Sequence, residues 1–449
     1  MTNAPGAMSP PLFFQRRFFP MWVALSFGTF ADNTLRQALL IGIPAGLINV
    51  PYFTDADNAI PYIGALLPLA ILLFSSVSGQ LADKYETSMM FRRTKFMEII
   101  LMSVAALAFA TGAGLLAIAM LFAMGAQSAF FSPVRVGAMP KYLHTDELVR
   151  GNGLCNAGLF TFILLGYTAG GFLITKSGGA VGVALVTAAL IGWLAALRTP
   201  YAAANDPALK LSFNGFIQTA SMFRMALTAR GVAPTLFGVG VFYFLSTAVT
   251  VAVPLYGRDS LHANPLVWVA LNGLFAIGAM IGAVAAASLA KGRTGFGYST
   301  FAIIAAGLMS FAVVVITPFA AGTDAAPLTL NGLFSTPAGV VLVAAFVATS
   351  ALSGVYIAPL QAAMQRRAPA PIRARILAAS IFANAAFAIP GSLSILVVTG
   401  SHIDPSAVFA CIGAAMLLIG AVMIYRWRTL PAGLYEEALN APNTSHRND

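Results

Sequence analysis

The sequence predicts an all-α polytopic membrane protein of twelve helices in two groups of six, and three observations carry that prediction. Of its 449 residues 59% are hydrophobic and 9% charged, whereas a soluble domain carries about 25% charged residues. Apolar runs of about 20 residues, the length that crosses the hydrocarbon at 1.5 Å per residue, recur along the chain. Lys and Arg fall between alternate runs, as expected of loops that stay on one side of a membrane.

Taken in order, residues 1–17 form a short amino-terminal segment ending in Arg16 and Arg17, which flank the first span. That span, about 18 to 48, is too long for a signal-peptide core and is followed by many similar runs. The next five are expected near 60–82, 95–111, 114–132, 151–174 and 180–197, completing an N-terminal bundle over 18–197. A gap at 198–232 follows, in which Phe213, Phe216, Ile217, Ala220, Phe223 and Leu227 recur at helical spacing. This reads as an amphipathic helix on the cytoplasmic membrane surface, linking the two bundles. The second bundle, 233–426, holds spans near 233–254, 267–290, 297–318, 337–364, 374–399 and 405–426, and 427–449 is a polar tail. All of the 25 Lys and Arg except Arg36, Lys176 and Arg258 belong to the termini or to the loops after even-numbered spans. Both termini are therefore expected on the cytoplasmic side of the membrane.

The first span is unusual because it holds Asp32, Asn33, Arg36 and Gln37 inside its apolar run. A charge at the centre of a membrane helix costs at least about 2.5 kcal/mol, so such a residue faces a partner or a cavity. Asp32 and Arg36 stand one turn apart and can neutralise each other as a structural pair. The functional alternative is that their face lines a pathway for a polar or charged substrate. Between the second and third spans, Gly79 to Glu98 reads G-Q-L-A-D-K-Y-E-T-S-M-M-F-R-R-T-K-F-M-E. Asp83 there stands near Lys84, Arg92, Arg93 and Lys95, charges that can form a gating network or simply enforce topology. The pairs Gly166 with Gly170 and Gly278 with Gly282 are G-x-x-x-G spacings that suit close helix packing.

No enzyme chemistry is visible. None of His144, His262, His402 and His446 begins an H-x-x-x-x-D acyltransferase motif, and no G-x-x-x-x-G-K-S/T loop is present to cradle nucleotide phosphates. Cys155 and Cys411 lack metal-ligand spacing and read as free thiols. No cofactor and no metal are expected. The net charge of +10 is spread over loops on one side, which points to membrane topology and not to nucleic acid.

The Gly79–Lys84 stretch resembles the G-x-L-a-D-R/K signature of the major facilitator superfamily, whose loop latches two six-helix bundles. Three further stretches are similar to the lysophospholipid transporters, and to the transporter part of the acyltransferase fusions related to them. Ala31 to Leu39, A-D-N-T-L-R-Q-A-L, looks like their N-D-N-x-x-K-x-A-L. F-S-P-V-R-V-G-A-M-P from Phe131 and L-V-R-G-N-G-L-C-N from Leu148 look like S-P-x-K-Y-G-x-L-P and L-V-x-A-N-G-L-x-E. P-L-Q-A-A-M-Q from Pro359, then R-A-R-I-L-A-A-S from Arg373, with Asn384 beyond, resembles P-L-x-A-L-x-Q and R-A-R-V-I-A-A-N-N. Asn156 replaces the family's Glu, while Arg36 and Arg135 replace Lys, which leaves Asp32 as the one acid placed deep in the first bundle.

The resemblance implies a secondary transporter working by alternating access, carrying lysophospholipid or a similar amphipathic substrate inward for reacylation. Asp32, Asn33, Arg36, Gln37, Asn152, Asn156, Gln361 and Asn384 would supply the polar substrate or ion pathway. Gly79, Asp83, Lys84, Arg92, Arg93, Glu98 and Arg135 would form the gating and cytoplasmic charge network. Membrane lipids, a coupling cation and a lipid acyltransferase are the partners it admits. Two rival readings are an exporter of amphipathic drugs or metabolites and a non-transporting membrane partner of lipid enzymes.

Overall fold

The computed structural model describes residues 12–51, 56–144, 147–209, 224, 232–290, 296–367, 373–401 and 403–429. Twelve long helices run through them. The first six are α1 (Phe19–Gly42), α2 (Ala59–Lys84), α3 (Thr87–Thr111), α4 (Gly114–Tyr142), α5 (Leu148–Ile174) and α6 (Gly178–Leu197). The second six are α7 (Val232–Leu255), α8 (Pro265–Ala290), α9 (Phe296–Ala320), α10 (Pro337–Arg367), α11 (Arg373–Leu393) and α12 (Ala407–Thr429). Among the described residues there is no strand, only an isolated bridge between Ala263 and Leu328. The amphipathic helix expected after Ser212 lies outside the described residues apart from Arg224, and so does most of the polar tail.

Ten of the helices are long and apolar enough to cross a membrane, and eleven if α2, bent by 54° between Ala59–Ser75 and Val77–Lys84, counts as one span. The remaining helix is α1, whose polar turn dilutes its apolar run. Its start has Pro in the first turn, where the missing N–H was free in any case. It stops at Gly42 and not near residue 48, because the chain turns through Gly46 at a left-handed φ of 69°. The third helix begins at Thr87, eight residues before the expected start, so that Arg92 and Arg93 are helical and not loop and join Lys95 and Glu98 on one helix. It closes on Gly112, φ 70°, in the left-handed conformation that suits a helix C-terminus.

Both halves pack in one pattern. In the first, α2 lies on α4, α1 on α5 and α3 on α6; in the second, α8 lies on α10, α7 on α11 and α9 on α12. The small-residue spacings mark two of these crossings. A Cβ added at Gly166 or Gly170 would run into the α1 backbone at Phe30 or Thr34, and one at Gly282 into the α10 carbonyl of Ala351. These glycines let backbones approach to van der Waals contact, where association in lipid draws on packing.

Between the halves, α2 meets α11 and α5 meets α8. The joining contacts gather at the end away from the chain termini, here the far side. Ser392 Oγ donates to Pro61 O at 2.6 Å, Arg258 reaches Asp57 and Pro44, and Gly171 packs on Val269. The larger apolar core, from Leu39 and Ile41 of α1 to Val251 and Val253 of α7, spans both halves. The second core, on the side of the termini, contains only residues of the first half, among them Phe18, Met21, Phe91, Phe131 and Tyr142. The halves are thus sealed together on the far side.

Candidate polar site and far-side gate

The polar turn of α1 divides its side chains between two neighbours. Asp32 Oδ2 accepts from Ser128 Oγ of α4 at 2.7 Å, while Arg36 Nη1 donates to the Tyr167 hydroxyl of α5 at 3.5 Å. The expected Asp32–Arg36 ion pair does not form. Side chains one turn apart share a helix face only if both lean along it, and here each turns to a different helix. Several polar atoms remain buried without a protein partner: Asp32 Oδ1, Arg36 Nε and both ends of the Gln37 amide. Buried polar groups are nearly always bonded. Orphaned atoms on one turn therefore leave it able to bond a further polar group. Asn33 is the exception, its amide donating to Thr29 O on the same helix at 2.7 Å.

Beside this turn lies an ion pair that the sequence reading distributed wrongly. Glu98, grouped there with the cytoplasmic charges, is 1% exposed, and Lys95 Nζ bonds its Oε2 at 2.7 Å. Gln127 of α4 donates to the same oxygen at 3.1 Å, and Lys95 Nζ stands 4.7 Å from the centroid of the Phe131 ring. Gly28, one turn before Asp32, makes the room: a Cβ there would overlap Lys95 Nζ and lie 3.5 Å from Glu98 Oε2. Asp32 is therefore not the single acid inside the first bundle. On a helix, i and i+3 share a face, so Lys95 and Glu98 turn inward together while Arg92 and Arg93 stay exposed.

At the end of the bundle near the termini, Asp83 is exposed and its Oδ1 accepts from Asn205 Nδ2 at 2.7 Å, within the segment that follows α6. Asn205 N and Asp206 N also bond the Asp83 carbonyl, at 3.0 and 2.9 Å. Arg92 donates to Thr199 O at 3.5 Å. Lys141 donates to Thr87 Oγ1 at 2.9 Å and Ala203 O at 2.7 Å, and Arg17 pairs with Glu147 at 2.6 Å. These contacts tie the first half to itself. Lys84 and Gly79 close α2 beside them, with nothing within 4 Å of where a Cβ on Gly79 would stand, and Arg135 is half-buried two turns into α4 from Gln127.

The rest of the expected pathway is scattered. Asn152 and Asn156 lie on α5, but their side chains are outside the described residues, and Gln361 is half-buried on α10. Asn384 of α11 has its Oδ1 buried without a partner. Asn272 of α8, 1% exposed, has neither amide atom bonded, and no motif pointed to it.

The far side closes through a residue that sequence reasoning passed over. A π-helical turn, Tyr256–Ser260, ends α7 and carries Arg258, which pairs with Asp57 ahead of α2 through two guanidinium nitrogens. Asp259 Oδ1 takes Nε at 2.6 Å, and Pro44 O accepts at 3.4 Å. The planar fork of Arg suits such two-pronged contact. The available signal for Arg258 was isolation, as one of two basic residues on a side otherwise empty of them.

No protein-family model matches the chain. Curated relatives do: it is 28% identical over 267 residues to the lysophospholipid transporter LplT of Citrobacter koseri, covering 58% of this chain and 63% of that protein. It is 26% identical to the protein of that name from Photorhabdus laumondii, covering 64% and 68%. The chain thus matches just under two thirds of the length of the first of these. Among solved structures, a POT family transporter in complex with 5-aminolevulinic acid superposes with a TM-score of 0.68 at 12% identity, covering 91% of this chain and 95% of that one. A peptide transporter POT in complex with sulfate gives 0.63 at 15% identity, covering 94% and 96%. Both likenesses show the fold, and these relatives and neighbours are transporters and not enzymes.

Proposed function

We propose that this chain, a major facilitator superfamily protein by fold and similar in sequence to lysophospholipid transporters, moves lysophospholipid across the inner membrane by alternating access. The observation that carries the reading is Arg36. It is a cation within a membrane helix, unpaired with the acid one turn away, holding one long hydrogen bond to Tyr167 and an orphaned Nε. A guanidinium so placed can grip a phosphate with two parallel bonds, which a Lys cannot. Gln37, Asn272 and Asn384 offer further unmatched amides for a headgroup, and the Phe- and Leu-rich walls suit a single acyl chain. With the termini in the cytoplasm, as the Lys and Arg distribution favours, the sealed side is the outer one and the conformation faces inward. Transport requires the Arg258–Asp57 contact to open while contacts form on the cytoplasmic side, where Asp83 is the candidate latch. A lipid acyltransferase would consume the delivered lysophospholipid.

The test is reconstitution of the purified protein in liposomes and the movement of labelled lysophosphatidylethanolamine between leaflets. Protein-dependent movement is expected, lost in Arg36→Gln and partly kept in Arg36→Lys. Movement no faster than in protein-free liposomes, or movement only of amphipathic drugs, contradicts the reading.

A further inference from the structure

The first bundle holds a cavity that the polar turn of α1 does not use. At its far-side end the α3–α4 turn, the α5–α6 turn and the chain after α1 enclose about 180 Å³. Glycines open this space. A Cβ on Gly114 would overlap Asn49 O and one on Gly178 would overlap Phe109 O, so both turns come in close, while nothing lies within 4 Å of where a Cβ on Gly112 would stand. The walls, among them Ile48, Phe109, Ala117 and Ile174, are apolar and buried. Along α3 they run from Ala108 to Gly112, a depth of about 6 Å at 1.5 Å per residue. An apolar cavity of about 150 Å³ takes up benzene, so this one has room for a chain of about six carbons.

The mouth carries one charge, Lys176. Lys176 and Arg258 are the two basic residues of the far side, and Arg258 is taken by Asp57 and Asp259. Lys176 is exposed, its Nζ 5.3 Å from the centroid of the Phe172 ring, and it joins no ion pair among the described residues. The other described acids of the far side are engaged elsewhere, Asp324 with His262 and Asp404 with Ser260 and Ser406. None of these acids lines the cavity. An apolar volume with a free ammonium at its edge is complementary to an apolar chain with an anionic end, because an ammonium bonds carboxylate and phosphate oxygens more strongly than neutral ones.

We propose that this cavity is a binding site for a short alkyl chain ending in an oxyanion, a carboxylate or a phosphate, with the chain against Phe109 and Ile174 and the anion at the Lys176 ammonium. The site stands apart from Arg36 and holds whatever the central pathway carries. It shares a wall with the seal between the halves: the turn after α1 gives Leu47 and Ile48 to the cavity and Pro44 O to Arg258. A chain in the cavity braces that turn and slows opening of the far side.

The test uses the purified protein in phosphatidylcholine nanodiscs and fluorine NMR of a terminally trifluorinated hexanoate. The wild type should broaden the fluorine line saturably beyond empty nanodiscs. Hexanoate and hexyl phosphate should each reverse the broadening, the one acting at lower concentration naming the preferred anion, and hexylammonium should not. Lys176→Met should weaken binding about fivefold, as for an exposed charge pair. Ala117→Leu, which fills the cavity, should abolish binding, and Arg36→Gln should leave it. Should Ala117→Leu fail to fold, the wild type and the exposed change Lys176→Met still decide the matter. No saturable broadening by the wild type, equal binding by Lys176→Met, or loss of binding in Arg36→Gln overturns the site. With Cys155 and Cys411 removed, labelling from the far side of Val269→Cys, buried against Gly171, should slow when hexanoate is bound. Unchanged labelling with hexanoate bound upholds the site and overturns its link to the seal.

Discussion

The two halves share a packing plan and differ in what they bury. In the first, α1, α3 and α4 enclose Asp32, Lys95, Glu98, Gln127 and Ser128. In the second, α7, α8 and α9 contain no Asp, Glu, Lys or Arg, and apart from the unbonded amides of Asn272 and Asn384 its interior carries hydroxyls satisfied close by. Tyr256 shares a hydrogen with Thr317 at 2.6 Å, Tyr356 donates to Gly238 O at 3.1 Å, and Ser310 donates to Phe409 O at 2.6 Å. A satisfied hydroxyl network rigidifies, whereas a partly satisfied charge cluster is where a second state can be stabilised. On the proposed reading the difference gives the charged part of the ligand chemistry to the first half and leaves the second the neutral amides of Asn272 and Asn384, with Arg258 as its charged contact to the first half on the far side.

The largest effect expected from breaking this asymmetry falls on the ion pair. Lys95→Met or Glu98→Leu alone leaves an unpaired buried charge and should destabilise the protein by about 3–5 kcal/mol, while the double change should restore most of that. Thermal unfolding in detergent, read as a double-mutant cycle, measures it. A smaller loss, about 1–3 kcal/mol from overpacking, is expected of Gly282→Leu at the α8–α10 crossing and of Gly170→Leu at the α1–α5 crossing. Equal losses at the two sites would show that the second half depends on its close crossing as the first does.

The far-side contact should respond more mildly. Arg258 is 34% exposed at its side chain, so water screens the pair, and Arg258→Gln should favour opening by about 1 kcal/mol, roughly fivefold. Cysteine labelling at Val269→Cys from the far side, in a background lacking Cys155 and Cys411, reads the change; unaltered labelling would leave Arg258 a surface contact. The smallest effect concerns Glu147, whose carboxyl is held below its ordinary range by the Arg17 hydrogen bond and then by the His144 N–H. Its contribution is present at neutral pH and fades as the pH falls through the carboxylate range. Glu147→Gln should remove that acid dependence from unfolding curves and change little else.

Most of the fold was legible in the sequence because a span announces itself by length and apolarity, which local composition fixes. The second span, expected at 60–82, is Ala59–Lys84, and the eighth, expected at 267–290, is Pro265–Ala290. The errors lie where charge enters a helix. Arg92 and Arg93, ahead of the expected start at 95, resemble a loop in one dimension, and the inward turn of Lys95 and Glu98 depends on α4 and on the space at Gly28. Likewise the spacing of Asp32 and Arg36 permits a pair, yet Ser128 and Tyr167 on other helices decide where each side chain goes. Partners distant in sequence leave no local trace, and for the same reason Arg258 and Asp57 could not be matched before the halves were seen together.

The assignment of the charged ligand chemistry to the first half is tested most directly by comparing two variants in one liposome assay. Arg36→Gln removes a cation from the first half, and Tyr356→Phe with Thr349→Val removes two hydroxyls from the second while keeping its charge and nearly its volume. Both should fold and insert. The account predicts that movement of labelled lysophosphatidylethanolamine falls to the protein-free rate in Arg36→Gln and stays near wild type in the hydroxyl variant. Sustained transport by Arg36→Gln together with loss in the hydroxyl variant would contradict it.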